Sequence, residues 1–293
     1  MTGLTRTGTI GRVLVDVQEM LARHGLTVLG NIVTLLRREG RLVVRAETTI
    51  GPVAVKLSDD AGAFLAEEAA VRRLARSGLP VAGVIAHAEG PPACLVLTWV
   101  EGEPLSSASP PEAQRAAGAL LRRVHRLGAD PGATFGGQEG WDAWMAGWLN
   151  HALSWWGTMA PIDDAARRGA WARYQEIRSL LSTRGDHLML FDGRPEHILV
   201  RGDGEIGLID VSELRAGDAA MDIAVLAVED PDLLDGVLAG YQPDSRESAV
   251  FDRLVPFYTF LRRLARAEWY QRFGTAAEMA RVLDTVEVTV WVS

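Results

Sequence analysis

The chain has 293 residues, 48% of them apolar and 23% charged, with a formal net charge of -8 at pH 7. That is enough for two lobes with a sizeable core, and the acidic balance excludes a general nucleic-acid binder, which needs a cationic surface to displace counterions. No apolar run reaches membrane-spanning length and no signal-peptide pattern opens the chain, so a cytoplasmic protein without membrane contact is expected.

In chain order, residues 11–24 carry apolar side chains at helical spacing, and Gly25 could stop that helix. From Val28 to Leu57 the texture is β, with a first turn near Arg38-Glu39-Gly40. Gly51-Pro52 turns the chain into Val53-Ala54-Val55-Lys56-Leu57, a buried strand. Ala63–Ser77 reads as a helix closed by Gly78, and Cys94–Val100 as another strand. The single cysteine, Cys94, lies in that strand, which rules out an internal disulfide and suggests a buried, inert thiol. Glu101-Gly102-Glu103-Pro104 breaks the pattern and marks a boundary between residues 1–100 and 101–293. Pro111–Arg184 looks helical, interrupted at Pro131–Gly140. Brief strands follow at His187–Phe191, His197–Arg201 and Glu205–Val211, then helices over Ala220–Ala239 and Glu247–Val286. The sum is an α+β chain: a small strand-rich lobe, a turn, and a mainly helical lobe holding a compact β segment.

Two features carry chemistry. The 30 lysine and arginine residues include one lysine, Lys56. Arginine replaces lysine on most solvated surfaces but not where a compact ammonium must fit a tight pocket. The second feature is the β segment, where Asp192 and Asp210 each follow an apolar strand. A hairpin between them would turn both carboxylates to one cleft, with His197 a short loop away. Two carboxylates and an imidazole suit a divalent metal and a general base. By spacing alone, aspartates at turns more often bond backbone.

The spacing does not stand alone, because the chain resembles the aminoglycoside phosphotransferase and choline kinase-like family, the small-molecule branch of the protein-kinase-like fold. The family's catalytic loop reads His-Gly-Asp-x-x-x-x-Asn before Ile/Val-Leu-Val; here it is Leu190-Phe191-Asp192 through His197-Ile198-Leu199-Val200. The family's Ile-Asp-Trp is Ile209-Asp210-Val211. Its Gly-Asp-Pro-x-x-Asp-Leu-Ala is Gly217-Asp218-Ala219-Ala220-Met221-Asp222-Ile223-Ala224. Val53–Lys56 is similar to the phosphate-binding lysine strand, Glu68 to the helix glutamate that pairs with it, Leu95–Leu105 to the hinge, and Val124-His125-Arg126-Leu127 to the Leu-His-x-Leu helix. These matches are collinear over residues from about 40 to 240.

The resemblance implies a bilobal fold: a small N-lobe with an antiparallel sheet and a helix, and a larger helical C-lobe with a short β hairpin at the catalytic site. It implies that Lys56 holds the α/β-phosphates of ATP, or of GTP in its place, oriented by Glu68; the adjacent Glu67 reads as a solvated neighbour, and which of the two faces the lysine stays open. Asp210 and His197 would bind Mg²⁺ or Mn²⁺. Asp192 would handle the proton of the acceptor hydroxyl, Arg194 would steady the phosphoryl group, and the backbone near Thr98 and Val100 would hold adenine. Leu190-Phe191 in place of His-Gly, and His197 in place of Asn, are departures; macrolide kinases in the family also carry His there. The expected activity is ATP-dependent phosphoryl transfer to a hydroxyl of a small molecule, such as an antibiotic or a sugar or amino-alcohol metabolite, by a monomer or homodimer. A non-catalytic nucleotide-binding relative is the alternative, and retention of Lys56, Glu68, Asp192 and Asp210 weighs against it.

Asp218 and Asp222 read as helix caps and anchors, and His125 as a buried brace for the catalytic loop. Trp141, Trp144, Trp148 and Trp155 fall on one face of a helix, as core or as an acceptor wall. Glu139, Asp142 and Glu229-Asp230-Pro231-Asp232 read as solvated turns and caps ahead of a site for a cation.

Overall fold

The structure, a computed structural model, describes residues 17–38, 40–90, 92–129, 140–159 and 164–286. Position 39 of the first expected turn, residues 11–16 of the first expected helix, and most of the Pro131–Gly140 interruption, with Glu139, lie outside these. Two compact units emerge. Unit 1 runs to Gly102 and takes in Gly207–Ser212; unit 2 holds Glu103–Ile206 and the chain from Glu213.

Unit 1 is an antiparallel five-stranded sheet in the order β1-β2-β3-β5-β4. Its strands are β1 (Val28–Arg38), β2 (Arg41–Thr48), β3 (Gly51–Ser58), β4 (Val84–Ala88) and β5 (Ala93–Thr98). Alternation does the sorting: Val53, Val55 and Leu57 of β3 join Val44, Ala46, Val96 and Cys94 in the core, packed with Val17 and Leu21 of helix α1, described over 17–23. Successive side chains of a strand point to opposite faces, so Lys56 is turned away from that core. Helix α2 (Leu65–Arg76) buries Glu67, Ala70, Val71 and Leu74, a face spaced i, i+3, i+4, i+7.

Unit 2 is helical: α3 (Pro111–His125), α4 (Trp141–Met159), α5 (Asp164–Leu181), α6 (Ala219–Glu229), α7 (Leu234–Tyr241), α8 (Ser245–Phe273) and α9 (Ala276–Leu283). The expected last helix is two, because Gly274 ends α8 and Thr275 caps α9 in a capping box. Its β segment holds the expected hairpin, Ile198–Val200 turning into Ile206–Leu208, with further strand pairing around it. Strand β7 (His187–Met189) pairs with β10 (Arg215–Gly217), while β8 (Ile198–Val200) pairs with the two-residue β6 (Glu103–Pro104). A turn closed by Arg201 N–H donating to Glu205 O leads from β8 into β9 (Ile206–Leu208), where the chain re-enters unit 1 at Gly207.

Two glycines set how closely α3 and α7 approach. A Cβ on Gly118 would lie 1.9 Å from the Val237 carbonyl oxygen, and one on Gly240 1.8 Å from that of Arg115. Gly118→Ala or Gly240→Ala should therefore cost about 1–3 kcal/mol by overpacking. Gly147 of α4 has open space around it, and Gly147→Ala should stabilise by about 0.5–1 kcal/mol. Chemical denaturation of the three variants checks this opposition in sign. Burial pushes the Cys94 thiol up to about 12, so a disulfide reagent at pH 8 should titrate no thiol in the native chain and one after denaturation.

Candidate functional site

In unit 1 the lone lysine is held between two carboxylates. Lys56 Nζ lies 2.6 Å from Glu67 Oε1 and 3.0 Å from Asp210 Oδ1. Burial alone would depress the ammonium, but Glu67 and Asp210 outweigh it and hold the pKa above the ordinary lysine value. The expected partner, Glu68, is elsewhere: it bonds Arg72 one turn on and His87 of β4. The reason is helical phase. Glu67 shares the buried face with Ala70, Val71 and Leu74 and is 3% exposed, whereas Glu68 sits on the next face. That apolar spacing was legible in the sequence and would have separated the two glutamates.

Asp210 has φ 51°, one of three non-glycine residues with positive φ among the described residues. Its half-exposed carboxylate is a hard oxygen donor that suits Mg²⁺ or Mn²⁺. Just upstream, a Cβ on Gly207 would press within 2.5 Å of Val100 Cγ1, so the strand into Asp210 needs glycine against the hinge. Thr98 is more committed than expected: its N–H donates to Gly83 O at 2.8 Å, and its Oγ1 accepts from Gly83 N at 2.7 Å. That takes the Thr98 donor out of the adenine contact expected of it.

In unit 2 the loop around Asp192 is pinned from below. Buried Asp222 accepts from the N–H groups of Leu190 and Phe191, both at 2.8 Å, and from His125 Nε2 at 3.0 Å. His125 Nδ1 in turn meets the Tyr241 hydroxyl at 3.0 Å. Phe191, where the resemblance expects glycine, adopts φ 63°. Left-handed backbone is strained for a bulky residue, and the two bonds to Asp222 hold it there. The Phe191 ring is flanked by the guanidinium groups of Arg215 and Arg262, 4.6 and 5.0 Å from its centroid, and by half-buried Trp144 and Trp148. Trp141 is core, donating from Nε1 to the Tyr258 hydroxyl at 2.7 Å, and Tyr258 donates to Asp218. Asp218 caps α6 and pairs with Arg184.

Asp192 Oδ1 lies 3.3 Å from Arg194 Nε and 3.4 Å from Arg262 Nη2. Arg194 also pairs with Glu196 at 2.6 Å. His197, expected on a metal, is occupied within the loop. Its Nδ1 meets the Asp192 carbonyl at 2.8 Å and its Nε2 meets Arg194 at 3.2 Å. Both ring nitrogens are engaged inside the loop, so in this geometry the imidazole braces it. Among the described residues, no group of three His, Cys, Asp or Glu is poised around one metal position. Arg262 was not anticipated. It is largely buried on α8, and burial pulls its guanidinium below its ordinary value while Asp192 opposes that. Nothing local in Leu261-Arg262-Arg263-Leu264 distinguishes it from a solvated arginine.

A model of the phosphotransferase enzyme family matches residues 35–252. No curated protein matches the chain. Among solved structures, a protein described as a fructosamine-3-kinase from Thermobifida fusca aligns with TM-score 0.67 and 20% identity, covering 94% of this chain and 98% of its own. A macrolide 2'-phosphotransferase from Brachybacterium faecium aligns with TM-score 0.62 and 18% identity over 92% and 96%. An APH(2") structure in complex with GDP and kanamycin gives 0.72 and 13% over 94% and 97%. The fold is the protein-kinase-like one, α+β with an antiparallel sheet in the N-terminal region and a larger helical C-terminal region.

Glu67→Gln should destabilise the chain by about 3 kcal/mol, because it weakens the partner of a buried ammonium. Glu68→Gln, at a more exposed pair, should cost about 0–1 kcal/mol. Urea denaturation of both variants decides between the two glutamates, and equal losses would refute the assignment to Glu67.

Proposed function

Because the chain belongs to the phosphotransferase enzyme family, we propose that it is an ATP-dependent O-phosphotransferase that moves the γ-phosphate to a hydroxyl of a small molecule. Hydroxylated antibiotics and sugar or amino-alcohol metabolites are the acceptor classes, in the cytoplasm, and GTP is the alternative donor. One observation carries the reading: the only lysine of the chain is held on a buried strand by Glu67 and Asp210. The neighbour holding GDP supports a nucleotide as its ligand.

The roles follow from charge. Phosphoryl transfer needs positioning and neutralisation more than covalent chemistry from the protein. Lys56 would lie along the α/β-phosphates, aimed by Glu67. Asp210 would release its bond to Lys56 in favour of Mg²⁺, which supplies positive charge between the phosphates when bound. Val100 would present the hinge backbone to the adenine. Asp192 would accept or orient the proton of the acceptor hydroxyl, with its carbonyl tied to His197. Arg194, now on Asp192 and Glu196, would swing its charge toward the transferred phosphoryl group.

ADP release should appear when ATP, Mg²⁺ and the right acceptor are combined, and EDTA should abolish it. Asp192→Asn should lower turnover about 10²–10⁴-fold with ADP affinity retained in calorimetry. Lys56→Arg keeps the charge but not the shape and should lose most turnover. A fully active Lys56→Arg variant would refute the phosphate role, and failure of the chain to bind ATP or GTP would refute the kinase reading.

A further inference from the structure

Unit 2 has a cleft of about 420 Å³ between the end of α6 and helices α8 and α9. Its charged lining is Arg263, Arg266, Arg281 and Glu278, with Tyr270 beside them. The single carboxylate is already spent: Glu278 accepts from Thr275 N and Oγ1 at 2.8 and 2.7 Å, closing the capping box of α9. Arg266 is paired with Glu229. Half-buried Arg263 donates to the neutral carbonyl of Thr285. Arg281 lines the cleft beside Glu278. In a chain of net charge -8, this cleft is therefore cationic.

Its place matters as much as its charge. Arg262, on Asp192, and Arg266, in the cleft, are four residues apart on α8 and so stand about one helical turn, 5.4 Å, from each other. The carboxylates next to the loop offer nothing to an ammonium-rich ligand. Asp192 sits on Arg194 and Arg262, Glu196 on Arg194, and Glu229 on Arg266. A polycation would have to displace an arginine at each, whereas an acidic group entering the cleft meets guanidinium forks shaped for carboxylate or phosphate.

We propose that this cleft is an anion-binding subsite that takes the carboxylate or phosphate group of the hydroxylated acceptor. The inference deepens the phosphotransferase reading and rests on it for the word acceptor; the anion site itself does not. It selects acceptors that carry an acidic group beside the hydroxyl.

The test is calorimetric titration of inorganic phosphate, and separately malonate, into the whole chain, with and without saturating ADP and Mg²⁺. One anion should bind in the presence of ADP, and Arg263→Gln/Arg281→Gln should weaken it at least tenfold. Arg263→Lys, which keeps the charge but not the planar fork, should weaken binding less than Arg263→Gln, and circular dichroism should show all variants folded. The preferred anion tells a phosphate-bearing acceptor from a carboxylate-bearing one. No anion binding, equal affinity in the double variant, or displacement of the anion by kanamycin would overturn the proposal. Absence of ADP binding would sink the kinase reading instead, and the titration without nucleotide would still decide the cleft.

Discussion

The buried carboxylate of Asp222 is the constraint on which the loop around Asp192 depends. It has no solvent, so each of its lone pairs must find a donor, and it finds the backbone N–H groups of Leu190 and Phe191 and the His125 ring. Because α6 is fixed by its own cap at Asp218, and Asp218 by Arg184 and Tyr258, the loop is tied to the helical core by charge-assisted bonds. This explains how phenylalanine sits in left-handed backbone where the family has glycine. The strain is carried by bonds on the amide side, and the ring is held between two arginines.

Unit 1 solves a different problem. A strand must present one ammonium while burying its alternate residues, and period two does this without special machinery. The helix then supplies a carboxylate at the only position of its apolar face that is not apolar. Glu67 is costly to bury, and Lys56 makes that burial tolerable.

Long, strongly periodic elements were legible from the sequence: the sheet through β3, helix α2, and the helices of unit 2. The lone lysine on its strand and the bracing role of His125 were legible too, because they stood in a collinear set of motifs. Of the short strands, β7, β8 and β9 were expected within longer apolar runs, whereas β4, β6 and β10 were not, since so few side chains carry no period. The choice of Glu67 was written in the spacing of Ala70, Val71 and Leu74. The loop contacts of His197 were not legible, because its partners are a carbonyl five residues back and a neighbouring arginine, and local backbone bonds leave no mark in composition. Arg262 comes to Asp192 from 70 residues away, a contact that only folding makes.

The arginine bias has a chemical corollary. Apart from the amino terminus, the chain owns a single primary amine, and that amine is ion-paired on a buried strand. Reagents that acylate or reductively alkylate amines therefore have almost no outer surface to modify. The one internal target is held as an ammonium above the ordinary lysine pKa by its carboxylates, so a mass shift at Lys56 becomes a reporter of unfolding, without a label or an engineered handle.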